Sequence, residues 1–203
     1  MPDFPTTRVD LLRHGEAVGG KKYRGRTDDP LSERGLQQMW DTVGEFRGWQ
    51  RVITSPLSRC AAFACALHGK WRIPVVEDAR LTELRFGAWE GKFPAELTAR
   101  DPNRLNRFWR DPRRNRPPGA EKLADFARRV EAAWQNLTTD GQGQHLLVVA
   151  HAGVIRLIVS RALGMPLNNL FRIHVPNAAL TRVTLQADDQ DVFPSVSFPH
   201  GRL

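Results

Sequence analysis

Few folds accommodate the run His145-Leu-Leu-Val-Val-Ala150. It is apolar without alternation, and such a strand has both faces covered, as in a parallel sheet layered by helices. Residues 9 to 13 form a second run of strand length, and Arg51-Val-Ile-Thr54 and Pro74-Val-Val76 read as shorter extended pieces. Leu180 to Leu185 alternates and reads as a final strand with one wet face. Helical spacing fills the intervals. Leu36, Met39, Trp40, Val43 and Phe46 recur between an N-cap at Ser32 and a stop at Gly48; a second helix opens at Ser55-Pro56 and closes at Gly69. Leu123, Phe126, Ala127, Val130, Trp134 and Leu137 mark a third that stops at Asp140-Gly141, and 153 to 163 a fourth, ended by Gly164 and Pro166. Strands alternating with helices predict an α/β fold with a mostly parallel central sheet and helices on both faces. A length of 203 residues suits a single domain over 1–203. Within it, residues 93 to 120 lose the pattern to proline and arginine and read as a lid-like insertion.

Polar residues of one chemical kind follow three of these strands. Arg13 and His14 end the first, Arg59 sits in the first turn of the helix after the second, and His151 follows the fourth. In a parallel sheet those ends share one edge, where open α/β folds hold their ligands. Arginine brings a permanent forked cation, and histidine a nitrogen that titrates near neutrality. The helix start beside Arg59 adds free backbone N–H groups, so the edge suits a phosphate.

Charge sharpens the expectation. Of the net +8, five charges fall in the segment holding Arg100, Arg104, Arg107, Arg110, Arg113, Arg114 and Arg116 against only Asp101 and Asp111. Lying over a pocket, Arg107, Arg110 and the neighbouring Trp109 would bind a small polyanion; the same segment also reads as a solvated basic face. No basic stripe interleaved with aromatics points to nucleic acid, and no run nears the ~20 apolar residues of a membrane span. The start lacks a secretory pattern, so a cytoplasmic protein is expected. Cys60 and Cys65 lie five apart in one helix, on different faces, and form neither a bridge nor a metal pair. His68, His145, His174 and His200 fit no motif and read as structural.

Leu12-Arg13-His14-Gly15-Glu16, Ser55-Pro56-Leu57-Ser58-Arg59, Glu83-Leu-Arg-Phe-Gly-Ala-Trp-Glu-Gly91 and the late His151 together resemble the histidine phosphatase superfamily, which includes cofactor-dependent phosphoglycerate mutases. The resemblance covers nearly the whole chain and implies a phosphoglycerate mutase-like fold. Leu11 to Gly20, Arg24-Gly25, Asp28-Asp-Pro-Leu31 and Phe86 to Gly91 most resemble the α-ribazole phosphatase branch of cobalamin synthesis. It implies that His14 is a nucleophile forming a phosphohistidine, that Arg13, Arg59 and His151 hold the phosphoryl oxygens, and that Glu83 donates the proton, with a small anionic phosphomonoester as partner and no metal or cofactor. By spacing alone, Glu90 or Asp28 serves as well as Glu83. The chain departs from the pattern at Ala17 and Gly20, where many members carry a hydroxyl residue and an asparagine. Backbone N–H groups at Gly20, or Arg24 or Lys21, then take over phosphate contacts, and phosphatase is favoured over mutase activity.

Two other readings compete. Gly15 to Lys22 nearly spells a nucleotide phosphate loop, but Lys22 stands where Ser or Thr would hold magnesium. A basic module binding nucleic acid or polyphosphate would draw on Arg100 to Arg116.

Overall fold

The computed structural model describes residues 6–99, 101–187 and 192–199; Arg100, His200 and the first five residues lie outside them. Six strands, β1 (Thr6–Arg13), β2 (Arg51–Thr54), β3 (Val75–Glu77), β4 (His145–Ala150), β5 (Leu180–Ala187) and β6 (Val192–Ser197), form one sheet in the order β3-β2-β4-β1-β5-β6. The pairings β1 with β4, β2 with β4 and β2 with β3 are parallel; β5 and β6 join antiparallel at one edge. The apolar run at β4 lies inside the sheet, and its last five residues are buried.

Period-two geometry sends successive side chains of β1 and β4 into two cores. Val9, Leu11, Leu146 and Val148 pack against helices α5 (Leu123–Asp140) and α6 (Ala152–Ala162), through Phe126, Val130 and Leu157. Leu12, Leu147 and Val149 face the other way, onto α1 (Glu33–Val43) and α2 (Ser58–Trp71), meeting Met39, Val43, Phe63 and Leu67. Each fully buried Leu or Phe contributes roughly 1.5–3 kcal/mol. Two such layers hold β1 and β4 at fixed height in the middle of the sheet.

Several boundaries differ from the sequence reading. The final strand is β6, not β5; it carries Pro194, which demotes a run to an edge strand, and there it pairs with Leu185. Helix α2 begins at Ser58 with Leu57 at the N-cap, so Ser55 and Pro56 lie in the turn before it, and it runs past Gly69 to Trp71. Helix α1 is capped by Ser32 as expected, but ends at Gly44, whose φ of 55° breaks it before Gly48. Phe46 therefore lies beyond the helix, its ring against Trp49 at 4.8 Å. The segment 93 to 120 contains two short helices, α3 (Pro94–Thr98) and α4 (Arg104–Arg110), on a small core of Trp89, Leu97, Leu105 and Phe108. No helix among the described residues is long and apolar enough to cross a membrane.

Candidate active site

The loop leaving β1 is held by close backbone contact. A Cβ on Gly15 would lie 2.0 Å from the Gly35 carbonyl oxygen, and one on Gly35 2.1 Å from that of Glu16, so two glycines let the loop rest on the first turn of α1. His14 N–H donates to the Ala150 carbonyl, extending the β1–β4 ladder by one rung. His14 and His151, each the first residue beyond its strand, are thus neighbours at the ends of β1 and β4, with ring centroids 5.2 Å apart.

His14 Nδ1 lies 2.7 Å from the Gly15 carbonyl oxygen. A carbonyl only accepts, so Nδ1 carries the proton and Nε2 keeps its lone pair. Burial first, then the charges of Arg13 and Arg59, hold the His14 imidazole well below its usual pKa, so it is neutral at physiological pH. Burial and Arg59 do the same to the fully buried His151. His151 Nε2 is 2.8 Å from Ser55 Oγ, which gives the serine that precedes α2 a use other than capping.

Arg13 and Arg59 enclose the pair. Burial lowers Arg13 to about 10, which leaves it cationic at neutral pH. One of its terminal nitrogens donates to the Val175 carbonyl. Arg59 is fully buried and donates to the carbonyls of Thr27 and Gly25. The Nε–H groups of both arginines have no hydrogen-bond partner among the described residues, although each is buried. An unpaired buried donor costs roughly 1–3 kcal/mol.

Glu83 is buried, and its two oxygens accept from Leu84 N–H at 2.8 Å and Gly153 N–H at 3.0 Å. The second bond needs a glycine in α6, because a Cβ at Gly153 would sit 2.2 Å from Glu83 Oε1. The other two acids considered for this role have other work. Glu90 accepts from the backbone N–H of Arg26, Thr27 and Phe86, and Asp28 from Ser58 N–H and hydroxyl. The latter bond corrects one expectation: Asp28 takes the Ser58 N–H at the start of α2, so that donor is not free for a ligand.

His14, Arg13, Glu83, Gly20 and Arg24 line an open cleft of about 780 Å³, with Arg59 and His151 buried beneath. Gly20, at φ 77°, takes a left-handed conformation that suits glycine. Arg24 spends its nitrogens on Asp29 and on the carbonyls of Val18 and Lys22, bracing the loop. Arg107, Arg110 and Trp109 are not among the cleft's walls. Arg107 pairs with Asp101, and Arg110 and Trp109 border a separate cavity. Sequence reasoning missed Asn177, whose amide donates to the carbonyls of His14 and Gly15, and missed that His174 lines the cleft. Neither lies in a motif; both come to the site on the segment that leads into β5. Arg156 was also missed: it donates to the Ile173 carbonyl, and its charge reaches Glu83.

Two imidazoles kept neutral by burial and by the guanidiniums beside them meet at the carboxyl edge of a mostly parallel sheet, and the chain belongs to the histidine phosphatase superfamily (branch 1), whose family model matches residues 9–193. Among its relatives is a bifunctional protein of Mycobacterium tuberculosis, 35% identical over 187 residues; the match takes in 90% of this chain but only 51% of that protein, so the chain spans about half its length. The adenosylcobalamin/α-ribazole phosphatase of Salmonella typhimurium is 31% identical over 184 residues, 88% of this chain and 90% of that one. A solved mycobacterial glucosyl-3-phosphoglycerate phosphatase superposes with a TM-score of 0.83 at 25% identity, over 95% of this chain and 98% of its own.

Proposed function

We propose that the chain hydrolyses phosphomonoesters through a phosphohistidine on His14. The observation that carries this is the His14 imidazole: its Nδ1–H is tied to the Gly15 carbonyl and burial keeps the ring neutral, which leaves Nε2 as a nucleophile. Nε2 attacks phosphorus, and the bond to the ester oxygen breaks. Arg13 and Arg59 offset the charge on the phosphoryl oxygens, each worth about 4 kcal/mol at ~4 Å and an effective dielectric near 20, before desolvation. His151, beside His14, accompanies them. Glu83 gives its proton to the departing oxygen; the same carboxylate then takes a proton from the water that attacks the phosphohistidine, releasing inorganic phosphate.

For the substrate we propose α-ribazole 5′-phosphate, in keeping with the relative from Salmonella, which is similar over nine-tenths of its length. The cleft is roomy, and Tyr23 and Phe86 offer it two aromatic walls; Lys21, Lys22 and Arg34 also line it, Lys22 paired with Asp29 and Arg34 with Glu16. The test is rapid quenching with radiolabelled p-nitrophenyl phosphate, which should leave acid-labile, alkali-stable label on the native chain and none on His14→Ala. Label that persists in His14→Ala would overturn the mechanism. A panel of α-ribazole 5′-phosphate, glucosyl-3-phosphoglycerate and 3-phosphoglycerate tests the substrate, and the highest kcat/KM falling on another member would replace it.

A further inference from the structure

A second cavity, of about 460 Å³, lies between α4 and the short 3₁₀ turn Leu167–Arg172 and shares no wall with the catalytic cleft. Six residues line it: Asn106, Trp109 and Arg110 from one element, Asn168, Phe171 and Arg172 from the other. The two stretches, Asn106-Arg-Phe-Trp-Arg110 and Asn168-Asn-Leu-Phe-Arg172, present the same order of amide, aromatic ring and guanidinium at the same spacing. In α4, positions three and four apart share one helix face. That face is turned to the cavity, while Leu105 and Phe108 are buried in the core beneath.

These walls carry positive charge, amides and aromatic rings together. No carboxylate lines the cavity, and neither Arg110 nor Arg172 forms an ion pair among the described residues. Trp109 leaves 45% of its surface exposed, so its indole is open to a flat partner. Guanidiniums recognise carboxylate, sulfonate or phosphate oxygens, the amides of Asn106 and Asn168 supply both donors and acceptors, and the exposed ring of Trp109 offers a stacking surface beside Phe171. We propose that this cavity is a second binding site, for a planar aromatic or heteroaromatic group that carries a negative charge.

It also touches the cleft. Trp109 lies close to Tyr23, a cleft wall, and Phe171 lies under Arg156, whose charge reaches Glu83. The occupant is therefore either the far end of a long substrate or a separate effector. The two sources share one chemistry and differ in kinetics.

Calorimetric titration with 1-naphthalenesulfonate, a flat anion with no ester to cleave, tests the site. The probe should bind the native chain at one site. Binding should weaken at least tenfold in the double variant R110Q/R172Q and in W109A, and remain unchanged in His14→Ala, which separates this proposal from the phosphohistidine reading. Methanesulfonate, which has the charge without the ring, should bind at least tenfold more weakly than the probe. Binding that is absent in the native chain, or equal in R110Q/R172Q and native, would overturn the proposal. If the site takes the end of the substrate, the probe competes with α-ribazole 5′-phosphate and leaves p-nitrophenyl phosphate turnover unchanged. If it takes an effector, the probe changes kcat for both.

Discussion

Gly153→Ala probes the placement of Glu83 without altering Glu83. A methyl at this position would lie 2.2 Å from Oε1, and ordinary contact requires about 3.4 Å, so the carboxylate must retreat by more than about 1 Å. The retreat strains or breaks its bond from the Gly153 N–H, and a buried donor left unpaired costs roughly 1–3 kcal/mol. Alanine in a helix is favoured over glycine by roughly 0.8–1 kcal/mol, so the net loss of stability should be no more than about 2 kcal/mol. The catalytic loss should be larger, since a misplacement of 1 Å costs on the order of 100-fold in rate. If Glu83 protonates the departing oxygen, that loss falls on alkyl phosphates and spares p-nitrophenyl phosphate, whose leaving group needs little help. Steady-state kcat/KM for both substrates, with thermal melts of Gly153→Ala alone and combined with Glu83→Ala, completes the measurement. In the Glu83→Ala background the added methyl should stabilise. Equal losses for the two substrates, or a methyl that destabilises equally with and without Glu83, would refute this reasoning.

Other expectations follow from the same geometry. Glu83→Gln should slow alkyl phosphates on the order of 100-fold or more while leaving p-nitrophenyl phosphate within about tenfold, as read from kcat for each ester. Gly35→Ala drives a methyl into backbone at 2.1 Å, where no side chain can yield, and should lower stability by at least about 2 kcal/mol by denaturant titration. His14 and His151 have folded pKa values below the unfolded 6.5, so the unfolded chain binds the extra protons. Stability is therefore full above pH 6.5 and declines as pH falls below it, and nitrogen-15 spectra should show both rings still neutral at pH 6. Asp10 is fully buried; burial would raise its carboxyl, but hydrogen bonds from His145, Arg182 and Trp49 outweigh that and lower it. Its contribution is present above about pH 3.8 and lost on acidification through the folded value, and Asp10→Ala should cost roughly 3 kcal/mol in a thermal melt at pH 7.

The two-sided burial of β4 was legible in Leu146 to Ala150 because a short, β-branched-rich apolar run without alternation suits a strand covered on both faces. From that strand, the convergence of His14, Arg59 and His151 at one sheet edge followed. What the sequence concealed is tertiary. Pro194 disguised β6 as a loop, because only pairing with β5 makes an edge strand of it. Ser55 and Pro56 spell a helix start, yet the chain spends the serine on His151 and lets Asp28, thirty residues earlier, cap α2. Arg24 lines the cleft, but its bonds to Asp29 and two carbonyls, which brace the loop, carry no local signal. Asn177 and Gly153 carry no local signal at all: one matters for the carbonyls it meets across the fold, the other for the methyl it lacks.

The rung between His14 N–H and Ala150 has a consequence for how such a molecule can diversify. The gap between the two imidazoles is close to the 4.7–4.9 Å pitch between neighbouring strands, so the lattice of the sheet sets it and no loop has to measure it. Insertions, deletions and wholesale replacement of the segments above can then change which molecule is admitted without retuning the chemistry below. Only a slip of one residue between the two inner strands would unmake it, and such a slip would also turn both cores inside out.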